Sequence, residues 1–157
     1  MPDFIPASDL KELAQKLVER YPLYLEDVDI EKIAFFRDIT TTKGRKLAYV
    51  EKTRPLDKQL NPNFDFKLVV IDALTNYMNP AQFNILMLHE LRHIGPTTFD
   101  NNGNEKTKLI THDVQEHSEI IEVFGLHWKT DETVRDPLEK EPVEIKKPIT
   151  NQDDEEE

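Results

Sequence analysis

The sequence predicts an α+β domain with helices laid on one small antiparallel or mixed sheet. Three observations predict it. Apolar residues recur at helical spacing in three separate segments. Three runs between residues 32 and 71 are rich in Ile, Val, Phe and Tyr. The two kinds of segment are grouped along the chain rather than alternating, in the order helix, three strands, helix, loop, helix, tail.

The first helix is "PASDLKELAQKLVERY". Ser8 is placed to cap it, Asp9 lies near the positive end of its dipole, and Leu10, Leu13, Leu17 and Val18 give one apolar stripe. Residues 30–54 read as two strands, "KIAFFRDI" and "KLAYVEK", with a turn at Gly44 between them. "RPLDKQLNPNF" reads as a loop with two prolines. "FDFKLVVIDALTNY" supplies the third strand, and the alternation of Phe64, Phe66, Leu68 and Val70 predicts a strand covered on one face. "NPAQFNILMLHELRHIG" is the strongest helix. Asn79 is a good N-cap, Pro80 suits the first helical position, and Gly95 and Pro96 stop it. After a polar loop, "LITHDVQEHSEIIEVFGLHW" predicts a last helix ending near Gly125. Residues 129–157 carry little apolar surface and much charge, so the expected organisation is one domain over 1–128 and a disordered acidic tail over 129–157.

Composition narrows the function. The chain has 157 residues, enough for one domain with a sizeable core. Its formal net charge of −11 repels phosphate backbones, so no nucleic-acid partner is expected. With no cysteine, disulfides, cysteine-based zinc ribbons and thiol nucleophiles are excluded, and any metal must be held by His, Asp, Glu or water. No run approaches the roughly 20 apolar residues of a membrane span, and "MPDFIPASDL" is no signal peptide. The expected location is the cytoplasm, with no membrane partner.

One stretch carries chemistry. "ILMLHELRHIGP" sets His89 and His93 four residues apart with Glu90 between them. On a helix, positions i and i+4 share a face, so the two imidazoles can meet at one point. Glu90, about 100° further round, is badly placed as a ligand but can reach a water beside the metal and serve as general base. This is the HExxH arrangement of zinc peptidases. The plain alternative is a core helix carrying two histidines. It is disfavoured because the segment is so apolar: burying two neutral histidines and a carboxylate without partners is costly, and a metal satisfies all three.

A catalytic zinc needs a third protein ligand and an open position. Pro96 and Phe99 stand where a metzincin has Gly and His, so the ligand lies elsewhere. "THDVQEHSE" is the next source. His112 is the expected third ligand. Asp113 is the expected partner orienting a ligand histidine, Glu116 is the main rival ligand, and His117 is the next. Arg92 is expected at the edge of the site, and His127 and Trp128 close the last helix, Trp128 as a packing residue.

"LMLHELRHIG" followed by "THDVQEHSEIIEVFGLHW" resembles the phage metallopeptidases, a zincin-like family distantly similar to SprT-like proteases, over roughly residues 30–128. The resemblance sets "FKLVVIDALTNYMNPAQFNIL" where the family has its edge strand and the entry to its active helix. It implies a zincin-like fold, with His89 and His93 as zinc ligands, Glu90 as base, His112 as third ligand and Asp113 beside it. The expected function is that of a zinc-dependent metallopeptidase acting on a peptide or protein through a metal-activated water, in the host cytoplasm if phage-encoded. The competing expectation is an inactive zincin-fold phage accessory protein that binds a host or phage protein. Four protein ligands, such as His89, His93, His112 and Glu116, would close the metal and favour that alternative.

Overall fold

The computed structural model describes residues 3–96, 98–99, 101–103, 105–106, 108–109, 118–125, 127–138 and 145. It is α+β, as expected, but the main sheet has four strands rather than three. These are β1 (Phe4–Pro6), β2 (Ile33–Asp38), β3 (Ala48–Lys52) and β4 (Phe66–Ile71), in the order β1-β2-β4-β3. β1 pairs antiparallel with β2, β2 runs parallel to β4, and β3 is antiparallel to β4. The sheet is therefore mixed.

β4 is the central strand. Leu68, Val69 and Val70 are all fully buried, so it is covered on both faces, not one. The alternation at even positions was real, but Val69 and Ile71 fill the odd ones, and a continuous β-branched run marks an interior strand. Two expectations fall with this. β2 and β3 do not form a hairpin, because β4 lies between them. Nor is "FKLVV" an edge strand. The edges are β1, with Pro6 where an edge tolerates proline, and β3.

Helix α1 (Ser8–Arg20) starts one residue earlier than the cap predicted. Ala7 is the N-cap and makes no side-chain cap bond, so Ser8 is the first helical residue. Asp9 instead accepts from Arg37, which also donates to Asp72 at 2.8 Å and so ties α1 and the chain after Ile71 to β2. The predicted loop after β3 contains helix α2 (Pro55–Leu60), with Pro55 at its first position. The third apolar run ends as strand at Ile71 and continues as helix α3 (Asp72–Thr75).

Helix α4 (Pro80–Leu91) fills the middle of the domain. Ile85, Leu86, Met87, Leu88 and Leu91 join Leu10, Ala14 and Leu17 of α1 and Ile33, Phe35, Leu68 and Val70 of the sheet in one core. A helix apolar on nearly every side must be buried, and this one is. After α4 the chain pairs Ile94 with Leu109, and a short ribbon joins β5 (Thr98–Phe99) to β6 (Glu105–Lys106). Helix α5 (Ser118–Phe124) buries Ile120 and Phe124 and is followed by Gly125 at φ +94°, the left-handed position that favours glycine after a helix.

The boundary expected after Trp128 falls inside packed structure. Tyr21 Oη donates to Pro137 O at 2.6 Å, Asn84 Nδ2 donates to Asp136 Oδ1 at 2.8 Å, and Val134 and Leu138 lie against the core. The rest of the expected tail, apart from residue 145, lies outside the described residues.

Asp38 closes β2 and is buried. Burial pushes its pKa up. Four hydrogen bonds, from the backbone N–H and hydroxyl of Thr40 and of Thr41, outweigh this and hold the carboxyl below its ordinary value. The folded state thus favours the ionised form. The stabilisation is full above the unfolded pKa of about 3.9 and is lost as pH falls through the lower folded value. Urea denaturation of wild type and Asp38→Asn between pH 7 and pH 3 should show the variant less stable at pH 7 and the gap closing below about pH 4. A gap constant with pH would contradict this account of Asp38.

Candidate metal centre

The centre is built by the last turn of α4. The helix is started firmly. Asn79 Oδ1 accepts from Gln82 N at 2.8 Å and Gln82 Oε1 accepts from Asn79 N at 3.0 Å, a reciprocal capping box. Regular helix ends at Leu91, so His93 lies just beyond it. The backbone does not break there. His93 N donates to Glu90 O and Ile94 N to Leu91 O, both at 3.1 Å. These i→i+3 bonds tighten the terminal turn and satisfy carbonyls the helix leaves open.

The tightened turn keeps the histidines together. Their ring centroids are 5.1 Å apart with the planes at 75°. His89 Nε2 is 3.5 Å from Glu90 Oε1. One ligand atom each from His89, Glu90 and His93 lies within 4.8 Å of the others. His89 and Glu90 are buried and His93 is half-buried. Three lone-pair donors converge here, at one end of the apolar core. Two imidazole nitrogens are donors zinc takes, and the carboxylate beside them can hold a proton next to the metal, so the residues fit a metal of this kind.

Of the predicted site residues, the structure brings His89, Glu90 and His93 together. His112, Asp113, Glu116 and His117 lie outside the described residues. Arg92 carries its guanidinium over the ring of buried Tyr24, 5.0 Å from the centroid, on the turn that bears the motif. His127 is exposed. Trp128 is buried, as expected of a packing residue, but what it packs against was not foreseen. Its ring lies 6.5 Å from that of His89. Gln82 was also missed, and it had a signal. "NPAQ" is the N-x-x-Q spacing of a capping box just before an apolar run.

No helix among the described residues is long and apolar enough to cross a membrane.

An α+β fold whose buried helix ends in a His-Glu-His cluster of HExxH spacing defines a protein with a candidate metallopeptidase centre. The family described as "Putative phage metallopeptidase" matches residues 2–139, and the chain belongs to that family. The match reaches past Trp128 and takes in the segment that packs on α4. Among curated proteins and solved structures, nothing matches the chain.

Proposed function

We propose that the protein is a zinc-dependent peptidase whose zinc is held by His89, His93 and a third ligand from the segment before α5. The observation that carries this reading is the convergence of His89, Glu90 and His93 within 4.8 Å at the end of a buried helix. When bound, zinc supplies Lewis acidity, polarising the scissile carbonyl and making water a better nucleophile near neutral pH.

Glu90 does the proton work. Its carboxylate takes a proton from the attacking water as oxygen bonds to the carbonyl carbon. It then delivers that proton to the departing amine nitrogen as the C–N bond breaks. His89 and His93 fix the position of this event relative to Glu90, and the apolar helix around them excludes bulk water.

His112 is the proposed third ligand, with Asp113 beside it and Glu116 and His117 as rivals. Chain geometry supports this. Ile94, next to His93, is bridged to Leu109, and His112 follows Leu109 by three residues, about 11 Å of chain at most. The proposed substrate is an extended peptide or unfolded protein in the cytoplasm, with no role for nucleic acid or membrane.

The test is cleavage of an unfolded protein substrate with and without a zinc chelator. Activity should vanish on chelation and return with added zinc. Among His112→Ala, Glu116→Ala and His117→Ala, one should lose both metal and activity. Cleavage indifferent to chelation would refute the zinc reading.

A further inference from the structure

We infer that Trp128, held by Gln82, is a positioning residue of the metal centre, so that residues 128–136 form a strap that completes it. This inference rests on the zinc reading above and goes beyond it.

The argument starts from α4. Asn79 caps α4, Gln82 and Asn84 lie in its N-terminal half, and each donates to the segment after α5. Asn79 Nδ2 donates to Glu132 O at 3.1 Å and Asn84 Nδ2 to Asp136 Oδ1 at 2.8 Å. The Gln82 amide, almost wholly buried, lies within hydrogen-bond distance of three main-chain carbonyls: Trp128 O at 3.3 Å, Lys129 O at 3.2 Å and Asp131 O at 3.2 Å. Three acceptors around one buried amide fix the backbone at Trp128 to the same helix that carries His89.

The side chain of Trp128 then acts on the ligand. Its indole ring is 6.5 Å from the His89 imidazole with the planes at 48°, inside the range in which aromatic rings attract. On its other neighbour, His89 meets the edge of His93 at 5.1 Å. The imidazole therefore touches two ring neighbours, and His89 and Trp128 are both buried, which restricts the rotamers open to each. A ligand whose rotamer is fixed before the metal arrives loses less entropy on binding, and partners hydrogen-bonded to a ligand, which act in the same way, typically affect metal affinity 10–100-fold. Gln82 and His89 are seven residues apart, two helical turns, so the clamp and the ligand lie along one face of α4.

The test is zinc affinity, measured by competition with a chromophoric chelator, together with melting of the metal-free proteins. The set is wild type, Trp128→Phe, Trp128→Ala, Gln82→Ala and, as a control for plain loss of stability, Leu10→Ala in the buried face of α1. Trp128→Ala and Gln82→Ala should weaken zinc binding by at least about tenfold. Trp128→Phe should keep most of the affinity, because a ring still faces His89. Leu10→Ala should lower the melting temperature and leave the affinity unchanged. If Trp128→Ala does not fold, Gln82→Ala decides. Unchanged zinc affinity in the folded variants, with wild type binding tightly, overturns the positioning role alone. Failure of wild type to bind zinc overturns the zinc reading and this inference with it.

Discussion

Glu90→Gln should lower kcat/KM for peptide cleavage by at least about a hundredfold while leaving zinc content at the wild-type level. The substitution keeps the size and shape of a side chain that is 4% exposed, so the fold has little reason to respond. What it removes is the ability to accept a proton. A neutral amide cannot take one from water, and it cannot return one to the leaving amine. His89 and His93 are untouched, so the metal should stay. Metal retention separates this result from the trivial one in which the centre falls apart. A Glu90→Gln protein that cleaves as fast as wild type would mean that Glu90 is not the base, and the proposed proton transfers would be wrong.

Gln82→Ala should destabilise the protein by about 3 kcal/mol, from loss of the reciprocal capping-box bond and of the bonds to the carbonyls of Trp128, Lys129 and Asp131, the first of them buried. For a chain of this size that is a fall in Tm of roughly 6–12 °C. Gln82 does two jobs at once. Its Oε1 accepts from Asn79 N and starts α4, and its Nε2 serves the carbonyls of Trp128, Lys129 and Asp131. Gln82→Glu divides them. A glutamate can still accept from Asn79 N, but its second oxygen would face those carbonyls with no proton to give. It should therefore be about as damaging as alanine at neutral pH. A Gln82→Glu protein as stable as wild type would show that the contacts to the strap matter little. Differential scanning calorimetry of the three proteins reads both outcomes.

Much of the centre was legible because it is local. Asn79 and Pro80 start α4 as expected, though Gly95 does not end it, and the spacing of His89 and His93 alone puts their rings on one face. The spacing did not reveal that regular helix stops at Leu91, with the i→i+3 bond of His93 to Glu90 keeping the second histidine in reach. The sheet was less legible, because strand order is decided by contacts between distant residues. Nothing near Ile33 or Ala48 says that β4 will enter between them, and adjacency in sequence argued for a hairpin instead. β1 is three residues long and contains a proline, too little for any periodicity to register. The strap was misjudged for another reason. Residues 129–136 look like tail because their side chains are charged, but Gln82 and Asn79 grip their main-chain carbonyls, which composition does not display.

The most direct test of the central claim is the zinc content of purified protein by elemental mass spectrometry, for wild type and His93→Ala. The account predicts about one zinc per chain in wild type, as an HExxH centre requires, and a large loss in His93→Ala. A wild-type protein that holds no zinc, even after zinc is restored, would contradict it. His89, Glu90 and His93 would then be a polar cluster at the end of a buried helix, without the metal their arrangement implies.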